Sequence, residues 1–345
     1  MQQNKSPFAR IFIFIVTLAI SALVLLRYGE RWLRSLLLYL STATWARQIA
    51  TDFPPAWQVA SRFIAGKTSQ DAIQAAQQIN QSGMSATLNY LGESVDTPED
   101  AAVAREAILH LMQHIQQYGV NATVSVKPTQ LGLHIGPHII RENLQQLLTA
   151  AEKYDTRIRI DMEDSSVTDT TLDLYRNLRD EDGFGHRIGI VLQAYLYRTE
   201  ADVAALIQEG AWVRLCKGAY KEPNELAFPE KADTDANFLK LAKQMLSEEA
   251  RAHGMYPCFA THDEALIRAI IQFARQTQID KDAFEFQMLY GIRRDLQQEI
   301  STEGYRLRIY IPYGTAWYPY FMRRLAERPA NLWFFLNNLL RSDAA

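Results

Sequence analysis

A chain of 345 residues with 48% hydrophobic content can bury a full core, and its net charge of −3 offers no basic surplus for nucleic acid. Only two cysteines are present, Cys216 and Cys258, both inside apolar runs, so no disulfide framework is suggested and a reducing compartment is the natural home. The seven histidines form no metal pattern: His110 and His114 are spaced i,i+4, but the glutamate that a zinc-protease helix carries beside its first His is missing, and a solvated or half-buried pair is expected.

At the amino terminus, residues 11–26 form an uncharged run flanked by Lys5 and Arg10 on one side and by Arg27, Arg31 and Arg34 on the other. A spanning helix needs about 20 apolar residues, with a lower bound near 17, so this run is marginal. No small-residue cleavage site follows it. Residues 32–50 add a second apolar stretch whose basic minority suits a membrane surface. Residues 1–50 are therefore expected to attach the protein to the cytoplasmic face of a membrane, the alternative being helices packed on the main domain. Helices over 51–83 and a main domain over 84–345 are expected to follow.

Residues 68–80 have the apolar spacing of a helix, with Ser69 and Ala72 supplying only half of a capping box. Apolar, β-rich runs then recur at 84–91, 122–127, 157–162, 188–196, 212–217, 256–261, 283–289 and 307–312, with helical patterns between them, clearest at 99–118 and 233–253. Eight strands each followed by a helix is the count of a (β/α)8 TIM-like barrel rather than an open doubly wound sheet. Continuous runs such as IVLQAYL and WVRLC fit parallel strands covered on both faces. The glycines at 183, 185 and 189 are spaced one residue too long for a dinucleotide fingerprint and precede a strand, so they mark a surface turn, and there is no Walker loop.

In such a barrel the chemistry sits at the carboxyl ends of the strands. The polar residues expected there are Lys127, Asp161, Glu163, Gln193, Tyr195, Arg214, Lys217, Thr261, His262, Glu285, Gln287 and Tyr310. Together they describe a polar mouth able to hold a large cofactor and a small substrate. Beyond the last strand, Tyr313-Gly314 leads into a helix bearing Tyr320, Arg323 and Arg324. Two adjacent guanidiniums beside tyrosines make a clamp for a small carboxylate, which arginine grips in bidentate fashion. Taken alone, the pair reads equally as solvated surface charge.

The strings VKPTQLG, DMED, QAYLYRT, RLCKGAYKEP, ATHD, FEFQMLYG and YIPYG…YFMRRLAER, in order on seven strands, resemble the proline dehydrogenase family from about residue 53 onward. The resemblance implies a (βα)8 barrel holding FAD that oxidises L-proline to 1-pyrroline-5-carboxylate by hydride transfer and passes the electrons to membrane quinone. It implies that Arg323 and Arg324 hold the proline carboxylate, that Tyr310, Tyr320, Tyr220 and Leu289 wall the ring, and that Lys127 and Asp161 lie near the amine. The flavin positions it implies are Gln193, Arg214, Lys217, Gly218, Ala219, Thr261, His262 and Glu327. Asp263 departs from the asparagine frequent in the fused bifunctional relatives. With no aldehyde dehydrogenase domain after residue 345, the second step of proline breakdown is expected to fall to a separate 1-pyrroline-5-carboxylate dehydrogenase. Two other readings stay open on the residues: a Schiff-base lyase using Lys127 or Lys217, and a non-catalytic, membrane-tethered barrel that binds an amino acid.

Overall fold

The computed structural model describes residues 36–37, 39–41, 43–51, 54–92 and 95–327, so the apolar run at residues 11–26 lies outside the described residues. Two compact units are present, one containing the residues up to Ser61 and those from Ala316 onward, the other running from Arg62 to Thr315. The first unit includes α1 (Thr44–Thr51) and α2 (Pro54–Ala60). Among the described residues no helix is long and apolar enough to cross a membrane.

The second unit begins with α3 (Ser69–Gln81), β1 (Ser85–Tyr90), α4 (Pro98–Gln117), β2 (Ala122–Val126), α5 (Pro137–Lys153), β3 (Ile158–Ile160) and α6 (Thr168–Arg176). It continues through β4 (Ile188–Gln193), α7 (Thr199–Gln208), β5 (Trp212–Cys216), α8 (Lys231–Met245), α9 (Glu248–Ala252), β6 (Tyr256–Ala260), α10 (Glu264–Gln276), β7 (Glu285–Leu289), α11 (Arg294–Thr302) and β8 (Leu307–Tyr313). Helix α12 (Trp317–Glu327) belongs to the first unit, where the Trp57 and Trp317 rings meet edge-on at 5.4 Å.

The start of α3 differs from the expected half box. Its cap is Thr68, one residue earlier: Thr68 Oγ1 accepts the Asp71 N–H at 3.2 Å, while Asp71 Oδ2 accepts the Thr68 N–H at 2.9 Å. Aspartate at the third position closes the box as glutamate would. The expected helix at 233–253 is two helices, because Ser247 Oγ accepts the Ala250 N–H at 3.1 Å and caps a new start.

The eight strands are all parallel and form a closed barrel in sequence order, with Ala86 of β1 opposite both Ala122 of β2 and Ile309 of β8. Alternate side chains point to opposite faces of a strand. One set, including Leu88, Val124, Ile160, Ile190, Val213, Phe259, Phe286 and Ile309, is fully buried in the same core as Ile108, Leu111, Leu144 and Leu148 of the surrounding helices. The other set points into the barrel and, beside apolar members such as Val191 and Trp212, carries most of the polar side chains. Arg214 on β5 reaches Ser125 on β2, Asp161 just past β3 and Gln287 on β7, none on a neighbour of β5, so these bonds cross the lumen. Barrels of this class usually fill the lumen with branched aliphatic layers. Here the alternation that makes each strand apolar outside has put charges and amides inside, and that polar interior is what positions the site.

Candidate active site

Arg214 is 5% exposed and is the hub of the carboxyl-end layer. Its Nη1 donates to Asp161 Oδ1 at 2.7 Å, its Nη2 to Ser125 Oγ at 3.2 Å and its Nε to Gln287 Oε1. The other carboxylate oxygen of Asp161, Oδ2, accepts the Tyr310 hydroxyl at 2.8 Å, and the guanidinium lies 5.2 Å from the centre of the Tyr310 ring. A buried carboxylate held by one ionised and one phenolic donor is fixed in orientation, because charge-assisted bonds are the strong ones. Lys127 follows the last residue of β2 and is half-buried.

The loops above this layer are tied to one another. Glu163 Oε2 accepts the Thr129 N–H and its Oε1 the Thr129 hydroxyl, both at 2.8 Å, and Gln193 Nε2 donates to the Glu163 carbonyl at 2.8 Å. Glu222 in the loop after β5 accepts the Ser165 N–H at 2.8 Å and the Tyr195 hydroxyl at 3.3 Å, and it also takes the Ser165 hydroxyl. Gly218 in the same loop has φ +113°, and a Cβ there would lie 2.3 Å from the Tyr195 ring. Only glycine lets the chain rest on that ring in this conformation. Ala219 is exposed, while Tyr220 and Leu289 are half-buried. His262 Nε2 accepts the Leu289 N–H at 2.9 Å, which puts the proton of the neutral ring on Nδ1. Thr261 is buried, and its hydroxyl accepts the Asp263 N–H at 3.1 Å.

Lys217 Nζ sits 2.9 Å from Asp263 Oδ2 and 2.5 Å from Asp235 Oδ1. Burial pushes the Asp263 carboxyl up, but hydrogen bonds from Lys217 and Lys231 outweigh it and hold the group below the usual carboxylate value. The departure at position 263 thus has a partner in this chain. A lysine between two carboxylates is the reverse of the desolvated, cation-flanked lysine that a Schiff-base enzyme needs, and this counts against the lyase reading at Lys217.

Glu285 is a correction. It is the first residue of β7, so it lies at the opposite end of the barrel, where Arg308 Nε and Nη2 meet its two carboxylate oxygens at 2.8 and 3.1 Å. Burial raises its carboxyl, and Arg308 more than reverses this, bringing it to about 2. Tyr195 also falls outside its expected strand: β4 stops at Gln193, and Tyr195 belongs to the turn that follows. Ser125, Glu222 and Asp235 were missed. The two-residue alternation that points Lys127 into the barrel also points Ser125 there, which is the signal that could have found it.

Helix α12 carries Tyr320, Arg323 and Arg324 at i, i+3 and i+4, a spacing that gathers them on one face. The Arg324 guanidinium lies 5.2 Å from the centre of the Tyr320 ring, and Glu327 is the last residue of the helix.

The sequence profile of the family described as proline dehydrogenase matches residues 72–336. Proline dehydrogenase 1 of Bacillus subtilis (strain 168) is 42% identical over 283 residues, which cover 82% of this chain and 91% of that protein. Proline dehydrogenase of Deinococcus radiodurans is 41% identical over 288 residues, covering 83% and 91%. Among solved structures, proline utilization A from Bdellovibrio bacteriovorus, inactivated by N-propargylglycine, superposes with a TM-score of 0.72 at 28% identity, over 78% of this chain and 32% of that one. This chain therefore spans about a third of that longer protein. With most of its length inside the family profile and its strands in the order that a closed barrel requires, the chain belongs to the proline dehydrogenase family, and its general reaction is the FAD-linked oxidation of proline.

Proposed function

We propose that the chain oxidises L-proline to 1-pyrroline-5-carboxylate with FAD seated in the barrel mouth, that the electrons pass to quinone in the membrane, and that the product goes on to a separate 1-pyrroline-5-carboxylate dehydrogenase. The observation that carries this reading is the Asp161–Arg214–Tyr310 group, in which Asp161 and Arg214 are buried and Tyr310 half-buried, drawn from β5, β8 and the residue just past β3. The surrounding donor set suits a flavin: the Arg214 guanidinium and Gln193 amide inside the barrel, the Thr261 hydroxyl and His262 ring after β6, and at Lys217, Gly218 and Ala219 a stretch of backbone kept open by glycine. Glu327 is a further flavin position.

Bound FAD supplies the hydride acceptor for the ring carbon next to nitrogen. The protein's share is binding and orientation. Arg323 and Arg324 take the proline carboxylate, and Tyr310, Tyr220, Leu289 and Tyr320 enclose the ring. Lys127 and Asp161 lie on the amine side, where an Asp161 oxygen accepts a hydrogen bond from the amine and fixes which ring carbon is presented. Fixing both ends of a small substrate is how a site supplies the entropic part of a rate enhancement.

The purified protein is expected to be yellow, to release FAD on denaturation, and to lose its visible absorbance when proline is added without oxygen. A colourless preparation that takes up no added FAD would refute the proposal.

Membrane attachment through residues 1–50 follows from the need to reach a lipid-soluble acceptor. Support comes from the described part of that segment, where Leu36, Tyr39, Trp45 and Ile49 are each more than half exposed beside Arg47, as in an interfacial segment with aromatic and basic residues. In fractionated cells the full chain is expected with the membranes, and a chain beginning at Thr51 in the soluble fraction. Equal partitioning of the two would mean that the segment packs on the protein instead.

A further inference from the structure

At the amino-terminal end of the barrel, away from the proposed flavin site, the strand starts surround a cavity of about 710 Å³ whose walls include Arg157, Trp212, Tyr256, Glu285, Arg306 and Arg308. We propose that this cavity is an anion site for a small oxyanion of the phosphate class, recognised by Arg157 on the wall beside Trp212, with Arg159, buried against the same indole, adding positive charge.

The argument is one of charge. Glu285 is taken by Arg308 through two bonds, and Arg306 is paired with Asp282 at 2.8 Å. Arg157 on the wall and Arg159, two residues further along the chain, make no ion pair among the described residues. Arg159 is 1% exposed. Its Nη2 donates to the Cys258 thiol at 3.3 Å, while its Nε and Nη1 have no hydrogen-bond partner among the described residues. Both guanidiniums lie against the same indole, at 5.6 Å for Arg157 and 3.8 Å for Arg159 from the ring centre.

That indole occupies the barrel only because Gly189 stands beside it on β4, where a Cβ would come within 2.4 Å of the ring. Contact with the ring face offsets part of the cost of removing a guanidinium from water, but it supplies no counter-charge. Charged groups that stay buried are as a rule paired, and the carboxylate that acts on the buried Arg159, Glu285, is shared with Arg308, which meets both of its oxygens. With Arg157, Arg306 and Arg308 on its wall against Glu285, and the buried Arg159 against the same indole as Arg157, the cavity carries a surplus of positive charge and is wide enough for a hydrated oxyanion with more than one negative charge. Arginine's planar fork also matches a phosphate oxygen pair.

The test is a calorimetric titration of the full, flavin-loaded chain with inorganic phosphate, against chloride at equal ionic strength. Saturable phosphate binding is expected, weakened at least about tenfold by Arg157→Ala, since one charge-assisted contact is lost. Arg157 is exposed, so this variant is expected to fold; Arg159→Met, which removes the buried charge against the same indole, should weaken binding as well and serves as a second variant. Arg323→Met is expected to leave phosphate affinity unchanged. The proposal is overturned if phosphate gives no more heat than chloride, if Arg157→Ala binds as tightly as the parent, or if binding disappears with Arg323→Met while surviving Arg157→Ala. None of these results depends on whether the protein oxidises proline, so the two proposals fail separately.

Discussion

Replacing Arg214 by methionine is expected to lower kcat/KM for proline by at least about a hundredfold and to destabilise the fold as well. The guanidinium is the shared partner of Asp161, Gln287 and Ser125 inside the barrel, and its removal leaves the Asp161 carboxylate buried with the Tyr310 hydroxyl as its one remaining bond in this network. Breaking one side of a buried pair costs about 3–5 kcal/mol, roughly 150- to 5,000-fold in an equilibrium. The decisive comparison adds Asp161→Leu to Arg214→Met. With both charges gone no uncompensated ion remains, so the double variant should recover much of the lost stability while staying inactive. Thermal unfolding reads the first effect and turnover with proline the second. Strictly additive losses of stability would show that the two side chains do not act as a pair.

Methionine at Arg323 or Arg324 should raise KM for proline, or lower kcat/KM, by roughly 10- to 150-fold, the equivalent of about 1.5–3 kcal/mol for one charge-assisted hydrogen bond. Flavin content should stay near that of the parent. Lysine at either position should rescue only in part, because a single ammonium lacks the planar fork. The sharpest readout is the preference for proline over pyrrolidine, which has the same ring without the carboxylate. The parent should discriminate strongly and both methionine variants weakly. An unchanged preference in both would remove the pair from substrate recognition.

The barrel was legible because each strand is a compact apolar run, and outward-facing residues such as Val213, Leu215 and Phe259 must be apolar to meet the helices. The inward residues were harder to read. Alternation shows that Glu285 and Gln287 share a face of β7, but not which of them stands at the chemical end, and Glu285 was placed at the wrong one. Partners brought in from distant elements left no local trace: Asp235 meets Lys217 from the first turns of α8, and Glu222 reaches Ser165 across 57 positions. Ser125 looks like an unremarkable small residue in ATVSV until the barrel closes and puts it within reach of Arg214. What is local in the site, the glycine at 218 and the strings around Asp161 and Arg214, could be read directly. What depends on closure could not.

That closure has a consequence for how the protein is made. The seam between β1 and β8 joins residues far apart in the chain, as in the bond from Arg308 to the Ala86 carbonyl, which spans 222 positions, and β8 also carries Tyr310. At a synthesis rate of about 5–20 residues per second, the edge of β1 waits roughly 10 to 45 seconds for its partner to be translated. Throughout that interval a nascent chain offers the unpaired backbone of Ser85–Tyr90 to any other strand in reach, which is how edge-to-edge aggregation begins. Recovery of soluble protein should therefore depend on how the ribosome-bound intermediate is shielded, and slower translation through the last third of the message should lower it.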